Sequence, residues 1–246
     1  MFDDYNNGIS YPESDKVDNQ KWDPRLFHTV GMPTYPYKYE AEYTMTINNS
    51  RSPNTYGYYT SLKEVPQRSK GETFNGSWQA FAMNEYVFRF TDVMLFRAEA
   101  LIELNELEQA RTIINNIRQR AANSVDKHIE YAKGKCEIAL YPESYFQDIE
   151  TARKCLRWER RLEMAMESGR YFDLRRWMDA PVEEAVPVYG CNMLASEAMK
   201  DQFHTPSMTT TLPTIFANKM WLWPINHSEL KHNENLVQNP GWTNPE

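Results

Sequence analysis

At 246 residues, with 41% hydrophobic content and a formal net charge of −7, the chain is long enough for one large domain or two small ones and can build a core. A pI near 5.4 argues against a nucleic-acid partner, whose phosphates demand a basic face, and points to neutral or apolar partners. No run of about 20 apolar residues is available to span a bilayer. The start, MFDDYNNGISYPESDK, lacks the basic and apolar regions of a signal peptide, so the expectation is either a cytosolic protein or a chain whose leader lies outside this sequence.

Residues 1–80 are polar and rich in Pro, Asn, Ser and Tyr, with a short extended piece at 43–47 but no sustained helical period. Nine of the fifteen tyrosines fall here, which makes the segment the best place to look for ligand contact. Sugars present apolar C–H faces ringed by hydroxyls, and flat aromatic rings with nearby amide and hydroxyl partners match that chemistry. The expected ligand-binding set is Tyr35, Tyr37, Tyr39, Asn49, Arg51, Tyr56, Tyr58 and Tyr59, with Asn48 and Asn54 among them. The alternative is that these tyrosines pack loops onto a scaffold or face a partner protein.

From Glu85 to Asn123 the pattern becomes helical. Val87, Phe90, Val93, Met94, Leu95, Ala98, Leu101 and Ile102 form one amphipathic set, and Ala110, Ile113, Ile114 and Ile117 a second. Asn105 between them tolerates the left-handed conformation of a tight turn, so the spacing predicts a helical hairpin. Ala100 and Ala110 are small residues placed where the helices would approach, with Leu107 between them, as in a tetratricopeptide-type pair. One such pair cannot bury its own faces.

Residues 124–145 read as a polar connection, followed by a long helix to Ser168 with Gly169 as its left-handed terminus. Within it, Glu159, Glu163 and Glu167 recur every four residues and repel unless cations sit beside them. Arg160, Arg161 and Arg170 are the local candidates at helical spacing. The density of charge suggests ion pairs that tie helices together rather than a catalytic centre, because the stretch supplies no nucleophile or metal. Tyr171, Phe172, Leu174 and Trp177 continue as a second apolar run.

After Pro181 the chain is irregular. Met220–Ile225 reads as a short buried strand or anchor, Ser228 as an N-cap for one helical turn, and Gln238–Trp242 as a type II turn. Trp78, Trp221 and Trp223 read as core anchors. Cys136, Cys155 and Cys191 are odd in number and lack a CxxC, so they read as small apolar residues. His227 and His232 are off the spacing that places two ligands on one helical face, and no metal or other cofactor is expected. No GxSxG, HExxH, GxxxxGK[ST] or GxGxxG occurs, and chain neighbours such as Asp3 and Asp4 rarely straddle a scissile bond, so an enzyme is not expected.

Five stretches, Asp23-Pro-Arg-Leu26, Phe88 to Ala100, Ala110 to Arg120, Glu159 to Trp177, and Leu222-Trp-Pro-Ile225 with Gln238-Asn-Pro-Gly-Trp242, stand in the order and spacing of one family. The chain resembles the C-terminal part of SusD/RagB-family outer-membrane nutrient-binding lipoproteins. The resemblance implies a mainly α, SusD-like fold of tetratricopeptide-like helix pairs with long irregular loops and a few short strands. It divides 1–246 into a loop-rich, Tyr-rich ligand face (1–80), a helical scaffold (85–180) and an irregular C-terminal segment (181–246), with the N-terminal half of the family fold outside this sequence. It further implies non-catalytic capture of oligosaccharides, or sometimes peptides, on the outward face of the outer membrane of Bacteroidetes-type bacteria. A lipid anchor would hold the full-length protein there, and a SusC-like TonB-dependent transporter would receive the ligand. The competing expectation is a tetratricopeptide-like scaffold that holds protein or peptide and no glycan.

Overall fold

The computed structural model of the chain describes residues 21–50, 59–70, 83–84, 86–167, 169–177 and 222–242. It divides into two units, 1–167 and 168–246, a boundary that falls inside the segment read above as one helical scaffold. Among the described residues the fold is mainly helical, with two short antiparallel strand pairs, β1 (Val30–Gly31) with β4 (Thr60–Ser61) and β2 (Pro36–Tyr37) with β3 (Glu40–Thr44). Among the described residues no helix is long and apolar enough to cross a membrane.

After the short helix α1 (Arg25–Thr29), the expected hairpin is present as α2 (Phe90–Glu103) and α3 (Leu107–Asn123). Asn105 closes it with φ 61°, and the Glu106 N–H donates to the Leu101 carbonyl at 2.7 Å, which satisfies the end of α2. Leu95, Ala98 and Ile102 of α2 meet Ala110, Ile114 and Ile117 of α3. Ala100 is exposed, contrary to the expectation above; Ala98, two residues earlier, takes the small-residue position because it lies on the same face as Leu95 and Ile102. Phe90, Val93, Phe96 and Leu104 leave the opposite face of α2 apolar and exposed.

The third member of this layer is α5 (Ile149–Glu163), which adds Ala152, Cys155 and Leu156 to the same core. Asp148 caps it by accepting the Thr151 N–H at 2.9 Å. The connection from 124 is more ordered than its polarity suggests. It contains α4 (Val125–His128) and delivers Tyr141 and Phe146 to the first core. Ile129 and Ala132 go to a second core with Trp22, Phe27, Met32 and Tyr35. Burial pushes the Cys155 thiol up to about 12 and the Cys136 thiol up to about 11, so both are inert packing groups, as expected. Cys191 lies outside the described residues.

The charged stretch differs from its expected form in two ways. The helix stops at Glu163 rather than Ser168, and Met166, not Gly169, is the left-handed residue, with φ 63°. The cause is tertiary: Lys63 Nζ and Arg89 Nη2 each donate to the Glu163 carbonyl at 3.0 Å, which caps the helix with two cations. The glutamates also take distant partners. Glu159, fully buried, binds Arg25 Nη1 at 2.5 Å and Arg118 Nη1 at 2.8 Å. Glu163 binds Arg89 at 3.0 Å, Arg120 at 2.5 Å and Arg25 at 3.4 Å, and Glu167 binds Lys63 and Arg89. Arg160 pairs instead with Asp92 of α2 at 2.8 Å, and Arg161 lies over the Trp158 ring. Asp23 holds Arg25 in place through Nε and Nη2, at 2.9 and 2.7 Å.

In the second unit, α6 (Arg170–Arg176) ends beside the buried Trp177, and α7 spans His227–His232. Its N-cap is Asn226, whose side chain accepts the Ser228 N–H at 2.9 Å, so the cap is two residues before the expected Ser228. Gly241, with φ 79°, and a Trp242 N–H to Asn239 carbonyl bond of 3.1 Å form the expected turn. Trp223, expected as an anchor, is 77% exposed. What anchors that segment is its backbone: Gln238 accepts from the Ile225 N–H at 2.8 Å and donates to the Ile225 carbonyl at 3.1 Å. Asn239 and the Trp242 indole donate to the carbonyls of Trp223 and Leu222. Trp78 and Trp221 lie outside the described residues.

Glu163→Ala strands buried cations and is expected to lower the free energy of unfolding by about 3–5 kcal/mol, read by urea denaturation. Burial opposes ionisation of Glu163, but Arg120, Arg25 and Arg89 outweigh it and hold the carboxyl below its ordinary 4.5. A depressed carboxyl contributes stability that is complete above its unfolded-state value and is lost as pH falls through the folded one. The Tm gap between wild type and Glu163→Gln is therefore largest near neutrality and narrows below pH 4.5; a gap that stays constant into acid contradicts this assignment.

Candidate functional site

The β2–β3 hairpin turns on two residues, Lys38 with φ 42° and Tyr39 with φ 74°. Positive φ at both central positions suits the right-handed twist of a hairpin but normally calls for Asn-Gly. A lysine and a tyrosine there store strain, which persists only when surrounding contacts hold it. Those contacts are present. Lys38 Nζ donates to the Val65 carbonyl, and Gln67 donates to the Lys38 carbonyl at 3.2 Å. The Glu40 carboxylate accepts the N–H groups of Arg68 and Ser69, both at 2.8 Å. The result is that Tyr39 stands out at the tip, 39% exposed.

Tyr39 meets two histidines. Its hydroxyl is 2.9 Å from His28 Nδ1, whose other ring nitrogen is 2.7 Å from Ser124 Oγ. The ring centroids lie 5.5 Å from His28 and 5.9 Å from His128. Burial, and then the neighbouring His128, push His28 from 6.5 down to about 4, so its ring is neutral near pH 7 and serves as one donor and one acceptor.

Two hollows adjoin this cluster, and both are lined by His28, Lys63 and Arg89. The larger, about 670 Å³, has Tyr39, Glu64, Asn84 and Tyr86 in its wall; Tyr86 is 69% exposed. The smaller, about 580 Å³, is walled by Asn116, Gln119 and Arg120 of α3 and by Lys127 and His128 of α4. Both volumes fall in the range of small-ligand sites. Among the described residues no cluster of His, Cys, Asp and Glu is arranged to hold a metal.

The tyrosines singled out from sequence have different surroundings. Tyr35 is buried in the second core, its ring 5.5 Å from Phe27 and its hydroxyl 3.2 Å from Lys135 Nζ. Tyr37 donates to the Pro66 carbonyl at 2.9 Å and has Arg68 5.4 Å from its ring centroid. Tyr59 is half-buried against the second core. Asn49 is exposed and folds back to accept the Thr46 N–H at 2.7 Å. Arg51, Tyr56 and Tyr58 lie outside the described residues. Tyr39 is thus the member of the set that lines a described hollow. His28, Lys63, Tyr86, Lys127 and His128 were not anticipated, because they come from separate segments and share no local spacing. Arg89 and Arg120 do lie in the motif stretches, where their roles as partners of Glu163 were not legible.

Comparison with known proteins agrees with the architecture. The model of the SusD family matches residues 1–242. "SusD-like protein P2" of Formosa agariphila is 26% identical over 211 residues, which is 85% of this chain and 34% of that protein. The chain therefore spans about a third of the length of this curated relative.

The geometry at Tyr39 has a direct spectroscopic consequence. In a proton NMR titration the His28 ring is expected to titrate near pH 4, and a midpoint at the ordinary 6.5 shows that the ring is not buried beside Tyr39. The neutral form being favoured in the fold, stability from this group declines as pH falls from 6.5 towards 4.

Proposed function

The chain belongs to the SusD family, and on that premise we propose that the protein binds oligosaccharide nutrients at the outer-membrane surface and passes them to a SusC-like TonB-dependent transporter. Members of this family are outer-membrane-associated binding proteins with a general role in glycan uptake rather than enzymes. In this reading the full-length protein is held outward-facing by an N-terminal lipid anchor. The supporting observation is the strained Lys38–Tyr39 turn, which presents an aromatic ring beside neutral His28, Asn84 and Tyr86 in a hollow of about 670 Å³. An exposed ring ringed by hydrogen-bonding groups matches a sugar, which offers C–H faces and hydroxyls together. Asn49, Arg51, Tyr56, Tyr58 and Tyr59 remain candidates for further contacts of the same ligand face.

One observation favours a second reading, a tetratricopeptide-like scaffold that holds protein or peptide. The outer face of α2 carries Phe90 at 79% and Leu104 at 73% exposure, and an apolar helix face of this kind suits a protein partner.

Titration against a panel of oligosaccharides separates the two. Tyr39→Ala and Tyr86→Ala are each expected to weaken the bound glycan at least about tenfold, since burial of an aromatic ring contributes roughly 1.5–3 kcal/mol. Unchanged affinity in both variants moves the site elsewhere. Absence of binding to every oligosaccharide removes the glycan reading and leaves the scaffold.

A further inference from the structure

We propose that the smaller hollow receives an anionic substituent of the glycan, a uronate carboxylate or a sulfate ester, with Arg120 and Lys127 as its charged contacts. The proposal deepens the glycan-binding reading and rests on it.

Charge is the first ground. Among the described residues the hollow and its ion pairs bring together six cations, Arg25, Lys63, Arg89, Arg118, Arg120 and Lys127, with four carboxylates, Asp23, Glu159, Glu163 and Glu167. A chain of net charge −7 therefore gathers a local surplus of two positive charges around one concave surface. Low-dielectric walls focus such a surplus on whatever enters.

Geometry is the second. Arg120 is one of three arginines that meet Glu163, with Arg25 and Arg89. Unlike the buried Arg25, its side chain is 57% exposed and held in one orientation, Nη1 donating to Thr91 Oγ1 at 2.9 Å and Nη2 to Glu163 Oε1 at 2.5 Å. A guanidinium fixed from behind, with donors left over, is pre-organised for a planar or tetrahedral oxyanion. Lys127 stands exposed on the same wall, with Asn116 and Gln119 as amide partners for hydroxyls. A ligand here is continuous with one at Tyr39, because His28 lines both hollows. An acidic sugar and its neighbour can thus be read together.

The test uses the whole chain and an oligosaccharide array in three classes: neutral, uronate-bearing and sulfated. Each acidic hit is measured again after carboxyl reduction or desulfation. The expected result is an acidic glycan that loses about tenfold or more in affinity when its charge is removed, with the class of hit telling carboxylate from sulfate. Lys127→Glu is expected to weaken that glycan by a similar factor at unchanged Tm, since Lys127 makes no ion pair among the described residues. Arg120→Lys, which keeps the charge but loses the fork, is expected to weaken it by a smaller factor. Hits that survive neutralisation, or acidic hits indifferent to Lys127→Glu, overturn this proposal and leave glycan binding standing. An array with no hits overturns both.

Discussion

Two glutamates without water to solvate them constrain the first unit. Glu159 and Glu163 sit one turn apart on α5, buried among helices, and a carboxylate removed from water is tolerable only with cations and hydrogen bonds around it. Four arginines supply them from three places: Arg25 from α1, Arg89 at the start of α2, and Arg118 and Arg120 from α3. Each arginine ties its own element to α5. Satisfying two buried charges thus links α1, α2 and α3 to one helix.

The same arrangement shapes the surface. Arg25 and Arg89 both stabilise Glu163 and line the smaller hollow, and Arg89 lines the larger one as well. Arg120 does both with a single guanidinium. The guanidinium of Arg120 in the smaller hollow is thus oriented by the core before any ligand arrives, which limits the conformational freedom lost there on binding. The larger hollow owes its form to a different constraint, the strained turn that raises Tyr39 against His28.

A second device recurs where the chain is irregular: a side-chain amide replaces a strand. Asn115 accepts the Tyr141 N–H at 2.8 Å and donates to its carbonyl at 3.0 Å, and Gln238 does the same for Ile225 in the second unit. Each satisfies one residue's backbone donor and acceptor at once, which lets loops be held without a sheet. The polar positions of the stretch 115–120 thus have separate tasks. Asn115 holds the loop, Arg118 takes Glu159 and the Ala139 carbonyl, and Arg120 takes Glu163 and Thr91.

Sequence by itself determined the local features of this protein. The α2–α3 hairpin, its left-handed Asn105 and the Pro-Gly turn before Trp242 follow from periodicity and residue chemistry, which act over a few residues. The family, and with it the mainly helical fold, was legible from motif order along the chain. Tertiary structure alone decided which arginine serves which glutamate and why α5 ends on Lys63 and Arg89 instead of at a glycine. It also decided that Tyr35 is core while Tyr39 lines a hollow, although alternation places both on one face of an extended segment. Net charge, a sum over the chain, hid the gathering of cations that folding produces. The reason in each case is one of range: electrostatic and packing partners here lie tens to more than a hundred residues apart, a distance over which no local pattern in sequence carries information.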